Sequence, residues 1–162
     1  MQGDYDRTDL LWAATELPGL LDAGKMQELV AMIFAHQKAD GGWSIRTFAR
    51  PEEWGKGNRA EKLWAEPELA NPGPRDPASD GHMTGLAIIA QRKAGVPASD
   101  PRIQRGVAWL KANQRSSGRW WTRSLNRDGW QFITYSGTAY PLLALSMCGE
   151  LPAQREMTAA GK

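Results

Sequence analysis

The sequence predicts an all-α fold made of repeated helical hairpins. Three twelve-residue segments, TDLLWAATELPG, TGLAIIAQRKAG and TAYPLLALSMCG, align without a gap, each from a threonine to a glycine. Two strings of the form Gln-x3-Gly-x-Trp also align with each other, one starting at Gln37 and the other at Gln114. Apolar residues in and after the aligned segments recur at helical spacing, so helices rather than strands are expected.

The first helix of each unit is expected to be buried on several sides, because its interior is apolar nearly all round. Glycine adopts the left-handed backbone conformation without a Cβ penalty, so the closing glycines predict where these helices end. The aligned segments run from Thr8 to Gly19, from Thr84 to Gly95 and from Thr138 to Gly149.

A second, half-exposed helix follows in two of the three units. KMQELVAMIFAHQ (25–37) and DPRIQRGVAWLKANQ (100–114) both place apolar residues along one side of a helix. In the later segment, Asp100 and Pro101 supply an N-cap and a first-turn proline. The sequence therefore predicts two helical hairpins and the first helix of a third.

A single domain is predicted over residues 1–151, followed by a polar tail over 152–162. The longest connector carries five prolines that break regular structure, and its Trp54 and Trp64 favour some ordering against the helices. The predicted divisions of the domain are repeat one over 4–43, the insert over 44–79, repeat two over 80–120 and a half repeat over 133–149.

Each Gln-x3-Gly-x-Trp string, which we call a clasp, follows a second helix. Glycine permits a tight backbone turn, tryptophan covers the turn with a large apolar surface, and glutamine can bond freed backbone groups. A structural role is therefore predicted, with an aromatic ligand platform at either tryptophan as the alternative. The clasps consist of Gln37, Gly41 and Trp43, and of Gln114, Gly118 and Trp120.

The segment from Arg105 to Trp120, RGVAWLKANQRSSGRW, resembles the whole QW motif of squalene-hopene and oxidosqualene cyclases. The earlier copy resembles it less fully, because Met32 stands where the motif has an aromatic residue. The resemblance covers nearly the whole chain outside the proline-rich insert. It implies an α/α toroid of the terpenoid cyclase and prenyltransferase type, here a partial toroid of about two and a half hairpins. The helices that begin with threonine would form its inner ring.

The same resemblance implies where an acid would act, since those cyclases protonate their substrate from a DxDDT segment at the mouth of an inner helix. Here Asp4 and Asp6 match the first two acids, but Arg7 replaces the third and favours ionised carboxylates. At the second inner helix, Asp80 and His82 would form an acid–base pair, or would simply cap and hydrogen-bond the helix end. The candidate catalytic residues are thus Asp6, Asp80 and His82.

The composition and the remaining polar residues exclude several classes of function. Twenty basic residues against eighteen acidic give a net charge of +2 and are scattered along the chain, so nucleic acid is not an expected partner. Cys148, His36 and His82 lack the spacing of zinc ligands, and no metal or cofactor is expected. The matching Arg46 and Arg123 suit a structural role or a proton-abstracting site like that of toroid polysaccharide lyases.

No stretch approaches the ~18 apolar residues of a membrane span, and the opening MQGDYDRTDL lacks the pattern of a signal peptide. A soluble chain, cytoplasmic by default, is expected. An exported or membrane-attached parent protein is the alternative.

Together these features predict a fragment or divergent member of the squalene-cyclase-like repeat family. It would bind an apolar or isoprenoid-like molecule, or a partner, and would have no cyclase activity alone. An arc of so few hairpins leaves an apolar face, to be covered by further toroid repeats, another domain or a second copy. The alternatives are an active terpene cyclase or mutase within a completed toroid, a carbohydrate-active toroid of the polysaccharide-lyase type, and a scaffold repeat without a ligand.

Overall fold

The computed structural model describes residues 3–48, 79–120, 122–123, 130–131 and 135–151. Across these ranges the all-α class is confirmed, with a 3-10 turn at Ile45–Thr47 and one small antiparallel ladder between β1 (Thr122–Arg123) and β2 (Trp130–Gln131). The helices are α1 (Asp4–Glu16), α2 (Ala23–Ala35), α3 (Gly81–Lys93), α4 (Pro101–Asn113) and α5 (Ser136–Met147).

Helix α3 is the centre of the fold. Every residue from Gly81 to Gln91 is buried, because α3 packs against α1 on one side, against α5 on another and against α4. Helix α2 packs on α1 as α4 packs on α3, which is the pairing expected of two helical hairpins.

Burial on several sides, predicted for all three first helices, holds for α3 but is wrong for the other two. Helix α1 buries only Thr8, Leu11 and Ala14, and α5 exposes Leu142 and Leu143. The reason is positional: α1 and α5 stand at the two ends of the row α1–α3–α5, so each lacks a neighbour on its outer side within the described residues.

The predicted helix ends are confirmed, whereas the predicted starts are late. Gly19, Gly95 and Gly149 follow their helices with φ of +85°, +91° and +75°, in the left-handed region. The helices begin before the aligned threonines, at Asp4, Gly81 and Ser136, so the threonines lie in the first or second turn.

Helix α4 begins as predicted, with the Asp100 carboxylate accepting a hydrogen bond from the backbone of Arg102 and with Pro101 in the first turn. Helix α2 uses the same device, which the sequence reasoning missed: the Asp22 carboxylate accepts from the Lys25 amide at 2.7 Å. Aspartate at this position stabilises a helix by bonding an amide that has no partner within the helix.

Several predictions lie outside the described residues. Within the insert over 44–79 the structure describes residues 44–48 and 79, so the placement of Trp54 and Trp64 is not covered. The start of the half repeat at 133–134 and the tail at 152–162 also lie outside them. No helix in the part of the chain that is described is long and apolar enough to cross a membrane.

Candidate functional site

The two clasps are built by the same hydrogen bonds. In the first, the Gln37 side-chain amide donates to the Gly41 carbonyl at 2.8 Å, and in the second Gln114 donates to Gly118 at 3.2 Å. Both glycines have positive φ, +93° and +78°, which permits the tight turn that the amide closes. These bonds and backbone angles are the ones that a structural role of glutamine and glycine requires.

The clasp tryptophans are part of the hydrophobic core. The Trp43 indole donates to the Ile33 carbonyl at 2.7 Å, and the Trp120 indole donates to the Leu110 carbonyl at 2.8 Å. Both rings are almost completely buried. Neither ring therefore offers a face to a ligand, and the structural interpretation is favoured over the ligand platform.

The first clasp also ties the two hairpins together. The Gln37 amide donates to the Arg102 carbonyl at 2.8 Å, and the Arg105 guanidinium donates to the Gln37 side-chain oxygen at 2.7 Å. The backbone amide of Trp43 donates to the Thr84 hydroxyl, which in turn donates to the Trp43 carbonyl. A sequence motif that follows α2 thus fixes the position of both α3 and α4.

Asp80 is the N-cap of α3 and is completely buried. Its two carboxylate oxygens accept backbone hydrogen bonds from Met83 at 2.9 Å and from Ile45 at 2.7 Å. Burial raises the pKa of Asp80 to about 7, against the opposing effect of these hydrogen bonds. The capping role is confirmed, and a carboxylate that is buried and engaged on both oxygens has no free approach for a substrate.

His82 joins the N-terminal ends of three helices. Its Nε2 lies 3.0 Å from the hydroxyl of Tyr5 on α1, and its Nδ1 lies 3.0 Å from the hydroxyl of Ser136 on α5. Its ring stacks with that of Tyr5 and also contacts that of Tyr140. Burial lowers the pKa of His82 to about 4, so the imidazole is neutral at pH 7 and accepts one of the two hydrogen bonds.

Sequence reasoning identified His82 but missed Tyr5, Ser136 and Tyr140. Burial and the neighbouring Asp9 raise the pKa of Tyr5 well above its ordinary value, so its hydroxyl keeps its proton. The chain Tyr5–His82–Ser136 is thus a neutral hydrogen-bonded network between helices. The alignment of the repeats holds part of the signal, because Ser136 matches His82, whereas Tyr5 lies one position earlier in its own repeat.

Asp6 stands apart from these residues. The side chain of Asp6 is exposed. The neighbouring carboxylate of Asp4 lies 2.8 Å from the Arg7 guanidinium and 2.9 Å from Nε2 of the His36 imidazole. The His36 ring packs on Phe48 with 4.3 Å between ring centroids. The structure therefore brings Asp80 and His82 to one helix end but leaves Asp6 on the surface.

An open groove of about 440 Å³ lies between α2 and the turn that joins α3 to α4. Its wall combines small aliphatic side chains with the Phe34 ring, over which the Arg102 guanidinium stacks at 3.5 Å. The sequence reasoning did not find this groove, since it is formed by residues far apart in the chain. The groove is lined by Ala23, Met26, Gln27, Val30, Ala31, Phe34, Ala94, Gly95, Val96 and Arg102.

No group of three side chains that could hold a metal ion occurs among the described residues. Arg46 of the polysaccharide-lyase alternative is buried, so its guanidinium does not line an open site. No family model matches the chain, and no curated protein matches it either.

Proposed function

We propose that the chain is a fragment or divergent member of the squalene-cyclase-like α/α repeat family that binds an apolar or isoprenoid-like molecule and has no cyclase activity alone. The observation that carries the proposal is the groove between α2 and the α3–α4 turn. Its volume of about 440 Å³ lies in the range of small-molecule sites, which are mostly apolar with a few polar groups.

The groove wall suits a flexible hydrocarbon chain. Met26 and Val30 supply aliphatic surface, the alanines leave room along α2, and the Phe34 ring forms a flat wall. The positive charge of Arg102 is balanced by Asp100, whose carboxylate it meets at 2.7 Å. A neutral isoprenoid alcohol therefore fits the groove better than an anionic diphosphate, which would compete with Asp100 for the guanidinium.

The positions of the candidate acids support the absence of cyclase activity in this segment. Protonation of a carbon–carbon double bond requires an acid that touches the substrate. Both oxygens of Asp80 accept backbone hydrogen bonds inside the core, and Asp6 is exposed on the surface. An active cyclase would need residues contributed by further repeats.

Titration of the chain with farnesol, followed by isothermal calorimetry, tests the proposal. Ala31 lines the groove and is exposed, so Ala31→Asp places a charge in the groove without disturbing the core. We expect Ala31→Asp to weaken farnesol binding at least about tenfold, because the bound chain would desolvate the carboxylate. Ala108→Asp is the matched control, since Ala108 is an exposed alanine on α4 outside the groove.

Two further ligands distinguish the alternatives. A neutral oligosaccharide in place of farnesol tests the hypothesis of a carbohydrate-active toroid, and we expect no heat of binding from it. Farnesyl diphosphate tests the preference for an uncharged end, and we expect it to bind more weakly than farnesol. Farnesol binding that is absent, or unchanged in Ala31→Asp, would overturn the proposal.

A further inference from the structure

Exposed leucines gather at the two ends of the helix row. Leu17 and Leu20, at and after the C-terminal end of α1, are 57% and 46% exposed. Leu142 and Leu143, on α5, are 39% and 41% exposed. We propose that these two ends join, so that α5 of one copy of the chain packs against α1 of a second copy, head to tail. This association goes beyond the proposed ligand binding and does not depend on it.

The exposed face of α5 is the counterpart of a covered face on α3. When the two helices are aligned at Thr84 and Thr138, Leu142 and Leu143 take the places of Ile88 and Ile89. Both isoleucines are completely buried. Ile88 lies beside Gly106 of α4, whereas Ile89 follows Gly85 by one helical turn and so lies on the side of α3 that faces α5. Leu143, which matches Ile89, is therefore the leucine on the side of α5 that a further helix in the row would contact. The leucines of α5 are exposed because no described element occupies the corresponding positions around α5.

Helix α3 has a glycine, Gly85, where it packs against α5. A Cβ atom added at Gly85 would lie 2.6 Å from backbone atoms of Tyr140 and Pro141, so α3 and α5 approach closely there. The residue of α5 that matches Gly85 is Ala139, which is exposed and nearly as small. Helix α5 thus offers a further helix the same kind of surface that α3 offers to α5.

Helix α1 has the matching free side. Helix α3 contacts α1 through His82, which meets the Tyr5 hydroxyl at 3.0 Å, and through Lys93, which pairs with a glutamate of α1 at 2.6 Å. Aligned at their threonines, the α1 residues that match His82 and Lys93 are Asp6 and Leu17, and both are exposed. The side of α1 that a preceding helix would contact is therefore open.

A complementary polar pair accompanies the leucines. Tyr5, which meets His82 in the contact between α1 and α3, corresponds to Tyr135 at the start of α5. Tyr135 is 85% exposed, and in the joined copies its hydroxyl would donate to the Asp6 carboxylate of the next copy. The bond between Tyr135 and Asp6 of the next copy would thus repeat the bond between Tyr5 and His82, with the Asp6 carboxylate in place of the His82 imidazole.

The two surfaces are different, so the contact is heterologous and extends to rings or open arrays rather than closing as a symmetric dimer.

Sedimentation velocity of the full chain over a range of concentrations tests this association. We expect the mean mass to rise with concentration. Leu143→Arg on α5 and Leu17→Arg at the end of α1 should each weaken association at least about tenfold, since each buries a charge at the junction. Ala108→Arg, an exposed change on α4, should associate like the unmodified chain.

Mixing the two blocked variants tests the direction of the contact. The Leu17→Arg copy retains an intact α5 and the Leu143→Arg copy retains an intact α1, so the mixture should form a one-to-one complex although each variant alone is monomeric. Tyr135→Phe should weaken association several-fold while circular dichroism shows an unchanged fold. A chain that stays monomeric at all concentrations, a Leu17→Arg variant that still self-associates, or a mixture that stays monomeric would each overturn the proposal. Farnesol binding is a separate measurement, so failure of one proposal is distinguishable from failure of the other.

Discussion

The indole of Trp43 donates a hydrogen bond to the carbonyl of Ile33, near the end of the helix that precedes the clasp. Trp120 does the same to Leu110 in the second hairpin. Each ring therefore closes over the last turn of its own helix. At Ile33 the indole adds a second, shorter hydrogen bond to a carbonyl that also accepts from the His36 amide at 3.2 Å. The clasp serves two purposes: it adds a hydrogen bond at the helix end and it buries a large apolar surface.

Replacement of Trp43 by phenylalanine removes the indole donor and leaves the Ile33 carbonyl buried without it. Together with the smaller ring, this should lower the free energy of unfolding by about 2–3 kcal/mol. Urea unfolding followed by circular dichroism measures the change. Trp109→Phe is the control, because its indole bonds the Asp40 carboxylate at an exposed site and should cost about 1 kcal/mol or less. Equal losses in the two variants would contradict the importance assigned to the buried bond.

The turn of each clasp could be predicted from the sequence because it is local. The bond from Gln37 to Gly41 and the bond from Trp43 to Ile33 span at most about three helical turns, so residue type and spacing carry the information. The bond from Gln37 to Arg102 joins distant parts of the chain and was not predicted. The helix ends were predictable for the same reason, since a glycine with positive φ acts on its own turn. The helix starts expected at the aligned threonines were less accurate, because Asp80 caps α3 four residues before Thr84.

Replacement of Asp80 by alanine removes acceptors from two amides in different parts of the chain, Met83 in α3 and Ile45 after the first clasp. Both amides would remain buried, so we expect a loss of about 3 kcal/mol in the free energy of unfolding. Asp100→Ala, which removes the cap of α4 at a more accessible site, should cost about 1 kcal/mol. The comparison requires only chemical unfolding curves at one pH. If Asp80→Ala lowers the free energy of unfolding by no more than Asp100→Ala does, Asp80 does not link α3 to the clasp.

The pH dependence of stability should reveal His82 and Asp80 acting in opposite directions. The pKa of His82 falls from 6.5 to about 4 on folding, so the folded chain binds fewer protons there. Its contribution is fully present above pH 6.5 and is lost as the pH falls toward 4. The pKa of Asp80 rises from 3.8 to about 7, so its contribution is present below pH 3.8 and is lost as the pH rises toward 7.

Two variants separate these contributions between pH 4 and 6.5. Relative to the unmodified chain, His82→Gln should lose more stability at pH 6.5 than at pH 4, by about 2 kcal/mol. Asp80→Asn should show the reverse trend, with its relative loss greater at pH 4. Thermal or urea unfolding at several pH values gives both trends, and all other titrating groups cancel in the comparison. Parallel trends in the two variants would show that at least one assignment is wrong.

The contacts around His82 and the groove were beyond sequence reasoning for a physical reason. Tyr5, His82 and Ser136 meet because three helices pack side by side, and the angle and depth of that packing depend on many side chains at once. The groove likewise depends on how far the α3–α4 turn, which contributes Val96 to its lining, stands from α2, which contributes Val30. Residue type and spacing do not encode such distances.

The bond from the Gln37 amide to the Arg102 carbonyl has a consequence for synthesis of the protein. The first clasp is completed by residues of α4, which are translated after it and separated from it by the whole insert. The Trp43 backbone lacks the Thr84 hydroxyl until α3 has left the ribosome, and the Gln37 amide lacks the Arg102 carbonyl until α4 has left it. The nascent first hairpin is therefore incomplete during elongation, and its final docking is expected late in synthesis, together with that of the second hairpin.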